Sequence, residues 1–346
     1  MHNKVIWNEG MFLQPQHFQQ QESHFNDIIS QKTTFLDTEK WGIKTLELDY
    51  DLLRVGKIAI KDASGIFPDG TWFTTPNQDK LPEAVEIKPG TANSIIYLAI
   101  PIRNGDLISL DSGKCHERYL TTTKEVKNNI KNINLSSTLL LGKLNMKILL
   151  ESDDLTQYCT IPIAKINQSR SDNTIILDNE FIPSCLEIDC SPYLAQQVNV
   201  IRELLSNRAQ MLTGRLTESQ QSANAEIIDM LILQIINRYT AIFNQTVNDK
   251  RCTPAYLFQC CNLLYAEMST YTSAKKTANI IPSYSQRNPN LYFSTLLEMV
   301  KDSLNSVIQQ DAKQISIQRK EFGLWVGKIE NNISLNADTL ILAVYS

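Results

Sequence analysis

The chain is 346 residues long, carries 33 Lys and Arg against 37 Asp and Glu for a net charge of −4, and is 42% hydrophobic. That length supports two or three domains with separate cores, and the apolar share excludes a disordered chain. The small acidic charge excludes a nucleic-acid binder, which would present a basic face; the pairs Lys250-Arg251, Lys275-Lys276 and Arg319-Lys320 read as solvated.

Lys4 is followed only by Val5, Ile6 and Trp7 before polar residues resume, so no secretory signal is expected. Trp7, Met11, Phe12 and Leu13 cluster around Gly10 with neither helical nor strand period and stop at Pro15. Termini are ordinarily polar and poorly ordered unless tied down. This segment therefore reads as an extended apolar arm that docks on a surface, of another subunit or of its own domain. Pro15 suits a first helical turn. Beyond it Phe18, Phe25 and Ile29 recur at helical spacing and predict a short amphipathic helix, so that arm and helix take residues 1–30.

Residues 31–184 read as strands and turns. Leu46 and Leu48, then Ile58 and Ile60, alternate with charged residues, and Ser64-Gly65 and Pro68-Asp69-Gly70 are turn signals. Residues 94–102 form a near-continuous apolar strand, expected to be central and buried on both faces. This is also the longest apolar run, far short of the ~20 residues of a membrane span. The stretch 119–134 is polar and rich in Lys and Asn, which predicts a long surface loop or a short helix. Residues 139–150 and 160–166 supply further strands. Several short strands with regular turns predict a β-sandwich.

At Ser191-Pro192 the period switches to helix. Leu194, Val198, Ile201, Leu205 and Leu212 mark one face of a helix expected to end at Gly214, with Ser191 as N-cap. A second helix over 218–248 is apolar around much of its girth, from Ile227 to Phe243, and must be buried on several sides; its surplus apolar surface is bundle core or a subunit interface. Thr253-Pro254 and Asn288-Pro289 open a third helix to about residue 272 and a fourth to about residue 310. Four such helices predict a bundle over 185–312. Strand patterning returns at 315–317, 323–329 and 339–345, within a partial β domain at 313–346. The whole is an α+β chain.

No pattern demands chemistry. The four histidines are His2, His17, His24 and His116; His17 and His24 are seven apart on the first helix, but no carboxylate or Cys stands at ligand spacing, so no metal is expected. Phosphate loops and a nucleophile elbow are absent, and Asp153-Asp154 falls in a turn. Seven cysteines without a Cys-x-x-Cys fit buried, reduced thiols of a cytoplasmic protein. No catalytic residue or cofactor is predicted.

The segment Trp7-Asn8-Glu9-Gly10-Met11-Phe12-Leu13-Gln14-Pro15-Gln16-His17-Phe18-Gln19 resembles the N-terminal signature of the TssK family, trimeric baseplate subunits of bacterial type VI secretion systems. Further blocks are similar to the family in the right order: Trp41-Gly42-Ile43, Pro68-Asp69-Gly70-Thr71, 161–166 (Ile-Pro-Ile-Ala-Lys-Ile), Phe181-Ile182-Pro183, Pro254-Ala255-Tyr256-Leu257 and Ile281-Pro282-Ser283-Tyr284. The resemblance implies a homotrimeric structural adaptor at the inner face of the inner membrane, without membrane insertion. It implies a sandwich shoulder like that of phage receptor-binding proteins, in contact with the wedge proteins TssF and TssG, a helical neck that helps hold the trimer, and a head that binds TssL and TssM.

Carried over, Trp7, Glu9, Gly10, Met11, Phe12, Leu13, Pro15, His17 and Phe18 are the residues expected to contact the wedge or support the trimer, since aromatic and Met anchors dominate interface energy. The family's Tyr-x-His element reads Tyr284-Ser285-Gln286 here. The sequence looks cut off after the first strands of the head, so binding of TssL or TssM is not expected of it. The alternative from another class is a phage-like module that grips carbohydrate or peptide on the sandwich through Trp41, Trp72 or Tyr97.

Overall fold

Pro15 opens the first helix, α1 (Pro15–Leu36), where its missing N–H leaves nothing unpaired. The computed structural model describes residues 2–36, 39–103, 117–127, 136–217, 223–249, 252–306, 317–319 and 324–327. At 22 residues α1 is longer than the short helix predicted; no Gly or Pro interrupts it after Pro15.

The β-rich part comprises β1 (Gly42–Leu48), a one-turn α2 (Tyr50–Leu53) capped by the Asp49 carboxylate, β2 (Lys57–Ile58), β3 (Ile60–Ile66), β4 (Trp72–Thr75), β5 (Val85–Glu86) and β6 (Ala92–Pro101). It continues with β7 (Tyr119–Lys127), β8 (Ser136–Leu144), β9 (Lys147–Leu150), β10 (Tyr158–Ser169) and β11 (Ile175–Leu177). Sheets run β1-β3-β4 and β11-β10-β6-β9, with β2-β5 and β7-β8 as separate pairs, and every pairing is antiparallel. β6 is central as predicted. Leu98 lies opposite Ile161 on one side and Ile148 on the other, and all three are buried. Ile43, Phe67 and Phe73 from the three-stranded part enter the same core. Each such side chain contributes about 1.5–3 kcal/mol by leaving water. One expectation fails here: residues 119–127 are neither loop nor helix but strand β7, because its run of β-branched Thr121, Thr122 and Thr123 suits a pleated surface despite its polarity.

The helices follow a 3-10 turn (Ile188–Cys190): α3 (Pro192–Thr217), α4 (Ala223–Asn248), α5 (Pro254–Thr272) and α6 (Pro289–Asn305). Their start signals act as predicted. Ser191 Oγ accepts from Leu194 N at 3.3 Å, Thr253 Oγ1 from Tyr256 N at 3.2 Å and Asn288 Oδ1 from Leu291 N at 3.4 Å. α3 does not stop at Gly214 but runs on to Thr217. A mid-helix glycine costs only about 1 kcal/mol, and the ion pair of Arg215 Nη2 with Asp229 Oδ1 of α4, at 2.7 Å, holds the extra turn. Val198, Ile201, Ile236, Phe243, Leu264, Phe293 and Val300 share one core. Residues 218–222, 307–316 and the strand expected at 339–345 lie outside the described residues. Within 313–346 the described part is the pair β12 (Ile317–Arg319) and β13 (Trp325–Gly327).

On α3, Arg208 stands in the inward stripe of Ile201, Leu205 and Leu212, where the spacing would place an aliphatic, and all four are buried. Its Nε and Nη2 have no hydrogen-bond partner, and burial together with the like charge of Arg215 pushes its guanidinium pKa down. A buried charge with two of its three nitrogens unpartnered destabilises. Arg208→Met, which leaves the Arg215–Asp229 pair intact, is therefore expected to raise the melting temperature by about 2–4 °C, read by differential scanning calorimetry; a lower melting temperature would show that the guanidinium supports the helix pair.

β-domain and bundle are joined by hydrogen bonds that converge on residues 182–186, the segment ahead of α3. Ile43 N donates to Ser184 O at 2.7 Å and Leu186 N to Ile43 O at 2.8 Å. Asn290 clamps Ile182 through both its amide atoms, at 2.7 and 2.8 Å. Gln286, 1% exposed, donates from Nε2 to Trp41 O at 2.9 Å and to Cys185 O, and accepts at Oε1 from Tyr284 Oη at 2.6 Å. Gln286 thus ties three chain segments together.

Candidate functional site

Residues 2–14 form no regular structure, yet they are placed by specific contacts. Met11 N bonds to Asn8 O at 3.3 Å in a turn that puts Gly10 at φ +80°, a left-handed position that favours glycine. His17 Nδ1 accepts from Gln14 N at 3.1 Å, and Gln14 O accepts from His17 N at 3.0 Å, which closes the start of α1. The segment then lies back along α1. His2 N donates to Asp27 Oδ2 at 2.6 Å, His24 Nδ1 to His2 O at 2.8 Å and Gln20 Nε2 to Asn3 O at 2.8 Å. The His2 N–H, ahead of all other influences, holds the Asp27 carboxyl below its ordinary pKa. The Trp7 ring sits 6.1 Å from those of both His17 and Phe18.

These contacts are largely polar and leave the apolar groups outside. Phe12 is 90% exposed, and Trp7, Leu13 and Phe18 are exposed as well; Glu9, Gly10 and Pro15 are exposed, and Met11 and His17 are half-buried. The structure thus brings the nine predicted residues together in one elbow where the arm turns into α1. It adds Phe25 and Ile29, which continue the line of Phe18 along α1 and are exposed, and Phe35 near its end. Their spacing of seven and four is visible in the sequence as an amphipathic face; only the fold shows that, among the described residues, this face is left exposed. The β-rich part approaches α1 at the turn where Gly70 faces Ser30. Contiguous exposed apolar surface of this kind marks interaction sites.

The rings of His17 and His24 are each engaged with backbone groups. Among the described residues no group of three or more His, Cys, Asp or Glu side chains could hold a metal, and no helix is long and apolar enough to cross a membrane. The thiols of Cys252 and Cys159 are pushed up to about 12 and about 11 by burial, and the six cysteines among the described residues are free thiols. Trp41 packs half-buried against the shoulder core, Trp72 is exposed on β4 and Tyr97 is half-buried on β6, so the aromatics proposed for ligand gripping do not share one sheet face.

A family model described as bacterial type VI secretion, VC_A0110, EvfL, ImpJ, VasE matches residues 17–346. The type VI secretion system baseplate component TssK1 of Pseudomonas aeruginosa is 29% identical over 345 residues, which are 99% of this chain and 78% of that protein. A crystal structure of TssK superposes with a TM-score of 0.85 at 29% identity, covering 97% of this chain and 77% of that one. A chain from a cryo-electron microscopy structure of a TssK-TssF-TssG baseplate subcomplex shares the fold, with a TM-score of 0.75 at 21% identity, over 88% of this chain and 100% of that one.

Proposed function

Since this chain belongs to the bacterial type VI secretion family VC_A0110, EvfL, ImpJ, VasE, we propose that it is a structural subunit of the secretion baseplate and that its N-terminal elbow docks the wedge proteins TssF and TssG. The observation that carries this reading is the exposed apolar line from Trp7 and Phe12 through Phe18 to Ile29, built on an ordered element rather than on a loose tail. It is supported by the baseplate role of the TssK1 relative and by the TssK-TssF-TssG subcomplex among the structures of similar fold. On this reading residues 1–30 are the arm, 31–184 a sandwich shoulder, 185–312 the neck and 313–346 the start of a head domain, to which binding of TssL or TssM is not assigned. The subunit works without catalysis or cofactor, at the cytoplasmic face of the inner membrane.

The neck holds a homotrimer. Met211 of α3 and Ile227, Ile228, Met230 and Leu231 of α4 are exposed on one stretch of the helix pair, and burial of such side chains between copies gives the apolar centre a permanent interface needs. Light scattering on the purified chain is expected to give three times the chain mass of 39.3 kDa. A monomer that stays a monomer in the presence of TssF and TssG would overturn the trimeric neck.

A further inference from the structure

The hairpin of β7 and β8 stands apart from every other strand of the shoulder. Its two nine-residue strands pair in unbroken register from Tyr119↔Leu144 to Lys127↔Ser136, a ribbon about 30 Å long at ~3.3 Å per residue. Among the described residues no third strand joins either edge. The base is built in. Arg118, 8% exposed, donates from Nη1 to Pro101 O and from Nη2 to Asp69 Oδ2 and Thr71 Oγ1, each at 2.5 Å. Asp79 Oδ1 accepts from Leu144 N at 3.0 Å, and Tyr119 and Leu144 pack on the shoulder core.

Beyond that base, residues 123–127 and 136–142 are all exposed. A two-stranded ribbon is marginally stable in water unless something covers it, and this one exposes Val126, Leu139, Leu140 and Leu141. Residues directly opposite in an antiparallel pair share a face. One face therefore carries Leu120, Leu141, Leu139 and Val126 with Lys124 and Lys143, and no acidic residue. The other, which holds Leu140 and Lys127, is mostly hydroxyl-bearing: Thr121, Thr123, Thr138 and Ser136, with Glu125 accepting from Ser136 Oγ. Neither Lys124 nor Lys143 has an ion pair among the described residues. Two copies meeting through this face would oppose lysine to lysine, so charge disfavours a second copy and favours an acidic partner. The turn at residues 68–71 links the ribbon to the arm: Asp69 and Thr71 hold Arg118, and Gly70 faces Ser30 of α1.

We propose that the apolar, basic face of the β7–β8 ribbon binds an acidic, leucine-bearing segment of another protein. This site is separate from the elbow and does not depend on the elbow's contact with TssF and TssG. The test uses the full chain and two labelled synthetic peptides of equal length, one alternating Leu with Glu and one alternating Leu with Lys, read by fluorescence anisotropy. The Leu–Glu peptide is expected to bind at least about tenfold more tightly, with affinity falling as salt rises. Lys124→Glu with Lys143→Glu should reverse the preference, and Leu139→Ser with Leu141→Ser should remove binding, with the thermal melt of each variant unchanged because these positions lie outside the core. Equal binding of both peptides, or binding indifferent to the four substitutions, would overturn the proposal. So would a lower mass of the Leu139→Ser, Leu141→Ser chain by light scattering, which would assign the face to contact between copies.

Discussion

Phe12→Asp is expected to weaken binding of the TssF–TssG wedge by about 100-fold or more, close to 3 kcal/mol, while the protein melts as the wild type does. Phe12 is 90% exposed and projects from the elbow, so the folded chain gains almost nothing from its ring, and surface changes of this kind move stability by no more than about 0.5 kcal/mol. A partner that buries the ring gains its full transfer free energy, and an aspartate forced into the same place must lose its water without an opposite charge. Phe25→Asp, two turns along the same line on α1, should reproduce the loss more weakly if the contact runs down the helix. Isothermal titration with the purified wedge complex, beside a calorimetric melt, reads both quantities. An unfolded Phe12→Asp chain would show that the arm is a structural part of its own domain, and unchanged wedge affinity would place the docking surface elsewhere.

Gln286→Leu is expected to cost about 4 kcal/mol of stability. The leucine fills a similar volume but leaves the Trp41 and Cys185 carbonyls without donors and the Tyr284 hydroxyl without its acceptor. Each buried group so stranded costs about 1–3 kcal/mol. Burial already pushes the Tyr284 phenol pKa well up. Gln286→His should fall between wild type and leucine, because a neutral imidazole offers one donor and one acceptor where the amide offers two donors and an acceptor. Urea unfolding followed by tryptophan fluorescence checks the order. Neighbouring Gly42 is a control for the tightness of the joint: at φ +132°, a Cβ there would collide with the Ser184 carbonyl. Wild-type stability in Gln286→Leu would mean that the joint is held by Asn290 and the Ile43 pairing alone.

Much of this molecule is legible in its sequence. The N-caps Ser191, Thr253 and Asn288 act within a few residues of themselves, and so do the prolines at helix starts and the continuous apolar strand β6; local chemistry suffices to place them. The apolar character of the segment 7–18 was legible for a related reason. An apolar terminus without period has no local use, and its motif is long enough to mark a family. Two readings went astray where tertiary contacts outweigh local preference. β7 is written in polar residues, and its β-branched threonines permit a strand that pairing with β8 along its whole length completes, and α3 crosses Gly214 because Asp229, fourteen residues on, holds Arg215.

What the sequence by itself determined is the order of elements, the α+β class and the family. What only the tertiary structure decided is which apolar faces are left over. The spacing of Phe18, Phe25 and Ile29 is the same whether the face meets a core or a partner, because periodicity records that a face is apolar and not what lies opposite it. Likewise Gln286 is an ordinary polar residue in the sequence, and becomes the joint between shoulder and neck only when residues more than 100 positions away bring their carbonyls to its amide.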